Sequence, residues 1–178
     1  MGKNVKKNIV ILSLDYSVCL KTAQKLAERL DMYFLDIQGL YSFDIKPRTV
    51  SETISKYGMD YYRNEISGSI KYASSFDNSV IAIESGAVEN SDNMEKLREH
   101  CLLVYVRSFP RWVTNKDFDG NYNSKEEEVL YKLADKDIIA RDNVLCKDVD
   151  IIAYGDDRNV DSFVEDIIRK IIDFYGVD

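Results

Sequence analysis

The sequence predicts an α/β protein in which a five-stranded parallel sheet is covered by helices on both faces, a three-layer α/β/α arrangement. Three observations predict it. Apolar, β-rich runs alternate with segments of helical period along the whole chain. The runs at 8–12, 79–83 and 101–106 are nearly continuous in apolar residues, as strands covered on both faces are. No repeat, low-complexity tract or linker interrupts the 178 residues, so 1–178 reads as one unit.

Each element has a local reason. Residues 8–12 form the first strand. A helix from about 17 to 30 carries Leu20, Ala23, Leu26, Ala27 and Leu30 at spacings of three and four. A short strand follows at 33–36. Residues 50–57 supply one or two helical turns, and 59–76 place Tyr62, Ile66, Ile70 and Ala73 on one helix face. After the strand at 79–83, residues 90–100 are helical. His100, the single histidine, ends that helix, where an imidazole is expected to meet the last carbonyls. The strand at 101–106 leads to a short helix at 109–115, which includes Trp112, a packing residue. A polar loop follows at 115–124. Ser124 and Glu127 form a capping-box signature opening a helix that runs to about Leu145. The last strand spans 150–153. The last helix, 160–175, bears the stripe Phe163, Val164, Ile167, Ile168, Ile171 and Ile172.

Composition narrows the function. Hydrophobic residues are 45% and charged residues 31% of the chain, and no apolar run approaches the roughly 18 residues that span a bilayer. The basic start followed by the run Asn8-Ile9-Val10-Ile11-Leu12 is too short for a secretory signal, so a cytoplasmic protein is expected. Cys19, Cys101 and Cys146 are far apart and form no CxxC pair, which predicts free thiols. A lone histidine argues against a His-based metal site. A net charge of −7, with Lys3, Lys6 and Lys7 as the one small basic cluster, argues against nucleic acid. It leaves room for a small anion in a locally basic pocket.

In a parallel sheet, ligands bind at the carboxyl ends of the strands. That rule points to the loops near Ser13, Asp36, Ser85 and Arg107. Several segments there resemble the shikimate kinase family in order and spacing. The strand at 8–12 with Leu26-Ala27-Glu28-Arg29-Leu30 resembles the first strand and helix. Met32-Tyr33-Phe34-Leu35-Asp36 resembles the second strand, which ends in Asp-x-Asp. Gly58-Met59-Asp60-Tyr61-Tyr62-Arg63 is similar to the segment with the Phe-Arg pair. Residues 80–88 resemble the strand and triple-glycine turn. Leu102-Leu103-Val104-Tyr105-Val106 resembles the next strand, and residues 141–150 resemble the Arg-x-Pro-Leu-Tyr segment.

The resemblance implies a P-loop kinase fold with a substrate-side helical segment at 37–76 and a lid at 115–124. It places Asp36 and Gln38 at the Asp-x-Asp motif, Asp36 facing substrate or, if the protein is active, Mg²⁺. It makes Arg63 and Arg141 a carboxylate clamp and leaves Gly86 as the glycine kept in the turn, now Ser85-Gly86-Ala87. Glu84, just before that turn, would disfavour an anion unless an arginine pairs with it.

The phosphate side departs from the family pattern. In G-x-x-x-x-G-K-[ST], glycines let the backbone curl amides toward phosphate, the lysine reaches the outer phosphates and the hydroxyl binds Mg²⁺. The matching positions here are Ser13, Val18, Cys19 and Leu20. Asp15 in the loop would repel phosphate, and Lys21 lies two positions late. The lid segment holds Lys116, Asp117 and Asp119 and no arginine. No cofactor is therefore expected, ATP and Mg²⁺ entering only if phosphoryl transfer survives. Three readings are open: a non-catalytic relative that binds a small carboxylate or regulates a partner; an active shikimate kinase with an atypical nucleotide site; and an interaction module that keeps only the fold. The oligomeric state and any protein partner stay open as well.

Overall fold

The computed structural model describes residues 5–44, 50–108 and 125–176. Strands β1 (Asn8–Ser13), β2 (Tyr33–Asp36), β3 (Ser79–Glu84), β4 (Cys101–Val106) and β5 (Ile151–Ala153) form one sheet in the order β2-β3-β1-β4-β5. Every pairing is parallel; Ile9 lies beside Val80 on one side and Leu102 on the other. The helices are α1 (Tyr16–Leu30), α2 (Ile37–Asp44), α3 (Val50–Tyr57), α4 (Met59–Ala73), α5 (Ser91–His100), α6 (Lys125–Asp148) and α7 (Val160–Tyr175), with a short 3₁₀ helix at Ser85–Glu89.

The pleat splits each central strand between two cores. Ile9 and Ile11 of β1, Val80 and Ala82 of β3, and Leu102 and Val104 of β4 pack against α1 and α7. Val10 and Leu12, Ile81 and Ile83, and Leu103 and Tyr105 face the opposite core with Ile66 and Ile70 of α4 and Leu97 of α5. β1 is buried along its whole length. It therefore ends at a fixed point in the centre of the molecule, and the turn into α1 is anchored at that point.

The predicted strands and most helices are present. Tyr62, Ile66, Ile70 and Ala73 are the buried residues of α4, as the spacing predicts. Four differences have physical causes. α1 starts at Tyr16, ahead of the expected start, because Asp15 caps it. Helix α2 starts directly after β2, inside a segment read only as helical in general. Ile172 is 47% exposed, on the edge of the α7 stripe. The carbonyls of Arg98 and Glu99 at the end of α5 are met by Lys6 Nζ at 2.7 and 2.9 Å, while His100 Nε2 lies 3.7 Å from Glu99. The expected helix at 109–115, Trp112, the lid at 115–124 and the cap at Ser124 lie outside the described residues. Cys19 and Cys101 are buried, Cys146 is half-buried, and all three are free. No helix among the described residues is long and apolar enough to cross a membrane.

α6 is tied to the sheet by Asp142. Its carboxylate accepts from Arg107 Nε at 3.1 Å and Nη2 at 2.9 Å, and from the Tyr105 hydroxyl at 2.7 Å. Burial pushes this carboxyl up, but the hydrogen bonds from Arg107 and Tyr105 outweigh it and hold it below the usual carboxylate range. Asp142→Asn is expected to cost about 1–3 kcal/mol, measured by urea unfolding at pH 7. A lowered folded pKa stabilises above the unfolded value of about 4 and stops doing so as pH falls through the folded value. The gap between wild type and variant should therefore close in acid. A gap unchanged from neutral pH to about pH 2 would show that the charge of Asp142 is irrelevant.

Candidate functional site

β1 hands the chain to α1 through Leu14 and Asp15 alone. Asp15 is the N-cap: its Oδ1 accepts from Ser17 N at 2.9 Å and Val18 N at 3.3 Å, and its carbonyl accepts from Cys19 N at 3.0 Å. The unpaired amides of a first turn are what binds a phosphate at a helix N-terminus. Here a carboxylate takes two of them. Val18, Cys19 and Leu20, the positions of the second glycine, lysine and hydroxyl, lie inside regular helix.

Cys19 is fully buried, with Sγ 3.2 Å from the Ile11 carbonyl oxygen and 3.7 Å from that of Ile83. Burial pushes this thiol above its ordinary range. The activation that a helix N-terminus can confer on cysteine is therefore overridden. Lys21 is exposed and lines a shallow groove with Gln24, Glu28 and Arg158, away from the end of β1. These residues do not fit a nucleotide triphosphate: the amides are capped, and no cation or hydroxyl stands at positions 19 and 20.

The Tyr16 hydroxyl donates to Asp36 Oδ1 at 2.5 Å. Burial, then the bond to Asp36, raises the Tyr16 pKa, so the phenol keeps its proton. The other Asp36 oxygen packs on Gly39, where a Cβ would lie 2.8 Å from it. Asp36 thus accepts from Tyr16 on one oxygen and has the backbone of Gly39 beside the other. Gln38 does not point to an open ligand position; its amide donates to Glu84 Oε2. The Tyr62 hydroxyl donates to Glu84 Oε1 at 2.7 Å. Glu84 is paired by two neutral donors rather than by an arginine. Among the described residues, no group of three or more His, Cys, Asp or Glu side chains could hold a metal ion.

Arg63 on α4 and Arg141 on α6 do come together. Arg63 Nη2 lies 3.2 Å from Glu89 Oε2, and Arg141 Nη2 lies 2.7 Å from Glu89 Oε1. Arg63 also lies 3.7 Å from Asp60. A cavity of about 380 Å³ opens beside them, lined by Tyr62, Arg63, Ile66, Glu84, Gly86 and Glu89 among others. Gly86 has a negative φ, and an added Cβ would meet only Glu84 Oε1 at 4.0 Å. Its backbone alone does not demand glycine.

Sequence reasoning missed Glu89, Gly39 and the link from Tyr16 to Asp36. None has a local signal, since each depends on a partner elsewhere in the chain or on packing. The Asp15 cap did have one: an aspartate directly ahead of a helical pattern.

The strand order and the position of this site at the carboxyl ends of β1 and β3 define the class, a small-molecule kinase fold of the P-loop type. The family model described as shikimate kinase matches residues 21–172, beginning just past the loop, and the chain belongs to the shikimate kinase family. It is similar to the shikimate kinase of Thermoanaerobacter pseudethanolicus, 26% identical over 93% of this chain and 96% of that one. Two other shikimate kinases match over less than two thirds of their lengths. That of Alkaliphilus oremlandii is 28% identical over 60% of this chain and 63% of its own length, and that of Symbiobacterium thermophilum 32% over 58% and 59%. In fold it matches the Acinetobacter baumannii shikimate kinase solved in complex with shikimate, with a TM-score of 0.77 at 18% identity over 95% of this chain and 94% of that one.

Because Asp15 is a helix cap and not part of a phosphate cradle, Asp15→Ala is expected to lower stability by about 0.5–2 kcal/mol. Thermal unfolding with and without millimolar Mg-ATP measures this; the loss should be the same in both. A melting temperature that rises with Mg-ATP in wild type would point to a surviving nucleotide site.

Proposed function

We propose that this protein is a shikimate kinase homologue that does not transfer phosphate and that binds a small hydroxy acid on its substrate side. One observation carries the first half: the three motif positions after the loop are ordinary helix, closed by the Asp15 carboxylate. Losing a lysine, a hydroxyl and several amides, at roughly 1.5–3 kcal/mol for each charged hydrogen bond, weakens triphosphate binding by orders of magnitude. The link between Tyr16 and Asp36 works in the same direction, because the carboxylate that would face a metal is already engaged.

The second half is supported by Arg63 and Arg141, which approach one carboxylate from two helices. Arginine suits this task through its planar, permanently charged fork. The shikimate bound in the A. baumannii homologue makes a cyclic hydroxy acid the first ligand to try. Such a protein can serve as a ligand sensor or as the regulatory partner of an active enzyme.

The competing reading, an active shikimate kinase with an unusual nucleotide site, draws on the family membership itself. Calorimetry with Mg-ATP, together with a coupled assay of ADP release in the presence of shikimate, separates the two. The expected result is no saturable ATP binding at millimolar nucleotide and no ADP above background. Shikimate is expected to raise the melting temperature, and Arg63→Ala to abolish the rise. Shikimate-dependent ADP formation by wild type would end the non-catalytic reading.

A further inference from the structure

We propose that Glu89 is the specificity-determining residue of this acid site: its carboxylate holds the place that a ligand carboxylate would take between Arg63 and Arg141, and a small acid binds by displacing it. This rests on the reading of those two arginines as the carboxylate-binding pair. Three observations carry it.

Each oxygen of Glu89 faces a different arginine, Oε2 toward Arg63 at 3.2 Å and Oε1 toward Arg141 at 2.7 Å. That is the arrangement an incoming carboxylate would adopt. Glu89 also stands between two cavities. Arg63 lines the one of about 380 Å³, Arg141 lines another of about 460 Å³ with Asp137, Ala140 and Val144, and Glu89 lines both. A carboxylate that merely organised the arginines from behind would leave both facing one cavity. Here each arginine lines its own cavity, and Glu89 is the residue shared by both.

Finally, Glu89 is accessible to an incoming ligand. Its side chain is 40% exposed and sits at the end of a five-residue 3₁₀ helix, whereas the arginines are carried on helices of 15 and 24 residues. Glu84 differs: it is held by Gln38 and Tyr62 and lends the same cavity a fixed negative charge. A tethered carboxylate competes at the high effective concentration of an intramolecular group. A free acid therefore binds the wild-type protein weakly and selectively.

Calorimetry with shikimate and with its uncharged methyl ester tests this on wild type, Glu89→Gln, Glu89→Ala and the double variant Glu89→Gln/Arg141→Ala. Circular dichroism melts check that each is folded. Both single variants are expected to bind shikimate at least about ten-fold more tightly than wild type. The ester should be unaffected, and the gain should vanish in the double variant. That pattern supports the role of Glu89 even if wild type binds no shikimate, in which case only acid binding by the native protein falls. Wild-type binding that is unchanged or weakened in both single variants overturns the role of Glu89 and leaves the acid site standing. Folded variants that all fail to bind shikimate overturn both.

Discussion

The hydrogen bonds from the first turn of α1 to Asp15 set the character of the whole nucleotide side. β1 is fixed at the centre of the sheet by β3 and β4, so the chain leaves it at one defined point. From there the backbone can either curl to gather amides around an anion or start a helix at once. With Asp15 accepting from Ser17 and Val18, it starts the helix. The helical register then decides the rest. Val18 and Cys19 fall on the buried face of α1 and pack against the sheet. Tyr16, in the first turn, reaches across to Asp36. A cation at position 19 would have to lie in an apolar core without a partner, at a cost that buried lysines meet by losing their charge. One cap thus accounts both for the helical backbone after the loop and for the burial of position 19.

The substrate side follows a different rule, because its changes are made by side chains and not by backbone. Glu84 and Glu89 bring two negative charges to the cavity that Arg63 lines. Their settings are not alike. Glu84 accepts from an amide and a phenol, neutral donors that satisfy its oxygens and leave its charge uncompensated. Glu89 is compensated by two guanidinium groups, one of which also lies near Asp60. The pairs are partly exposed, where ion pairs add little to stability. Their weight falls instead on which ligand can enter.

Much of the fold was legible in the sequence because it depends on local signals. The period of α4 and the alternation of apolar and helical runs fix the layers without any knowledge of partners. Most of α7 follows the same rule, and Ile172 departs from it because it lies at the edge of the stripe. The candidate site was legible in part. The positions of Asp36, Arg63, Gly86 and Arg141 came from a pattern, but their environment did not. Gln38 turns to Glu84, and both arginines turn to Glu89, a residue that nothing in its own neighbourhood singles out. Pairs such as Arg141 with Glu89 join residues far apart in sequence, and no spacing rule reaches across that distance. Helix α2 was read only within the helical segment 37–76, without bounds of its own, because it begins directly at the end of β2, with Gly39 in its first turn, where glycine normally argues against helix. The close approach of Asp36 supplies the reason for that glycine.

The two sides also differ in how reversible their closure is. Restoring a phosphate cradle after β1 requires undoing a helix start: the Asp15 cap, the β-branched Val18 and the buried Cys19 would have to change together, because each stabilises the same register. No single substitution frees the amides and also supplies a cation. The proposed acid side is occupied by one carboxylate at the exposed end of a short 3₁₀ turn. Its displacement exchanges two partly solvated ion pairs for two equivalent ones with an incoming ligand, which must overcome the high effective concentration of a tethered carboxylate. A site shaped by backbone register changes only with the helix start, while a site shaped by a partly exposed side chain is open to competition. Under the proposed function, ligand recognition therefore lies with Arg63 and Arg141, and Glu89 sets the threshold at which an acid is recognised.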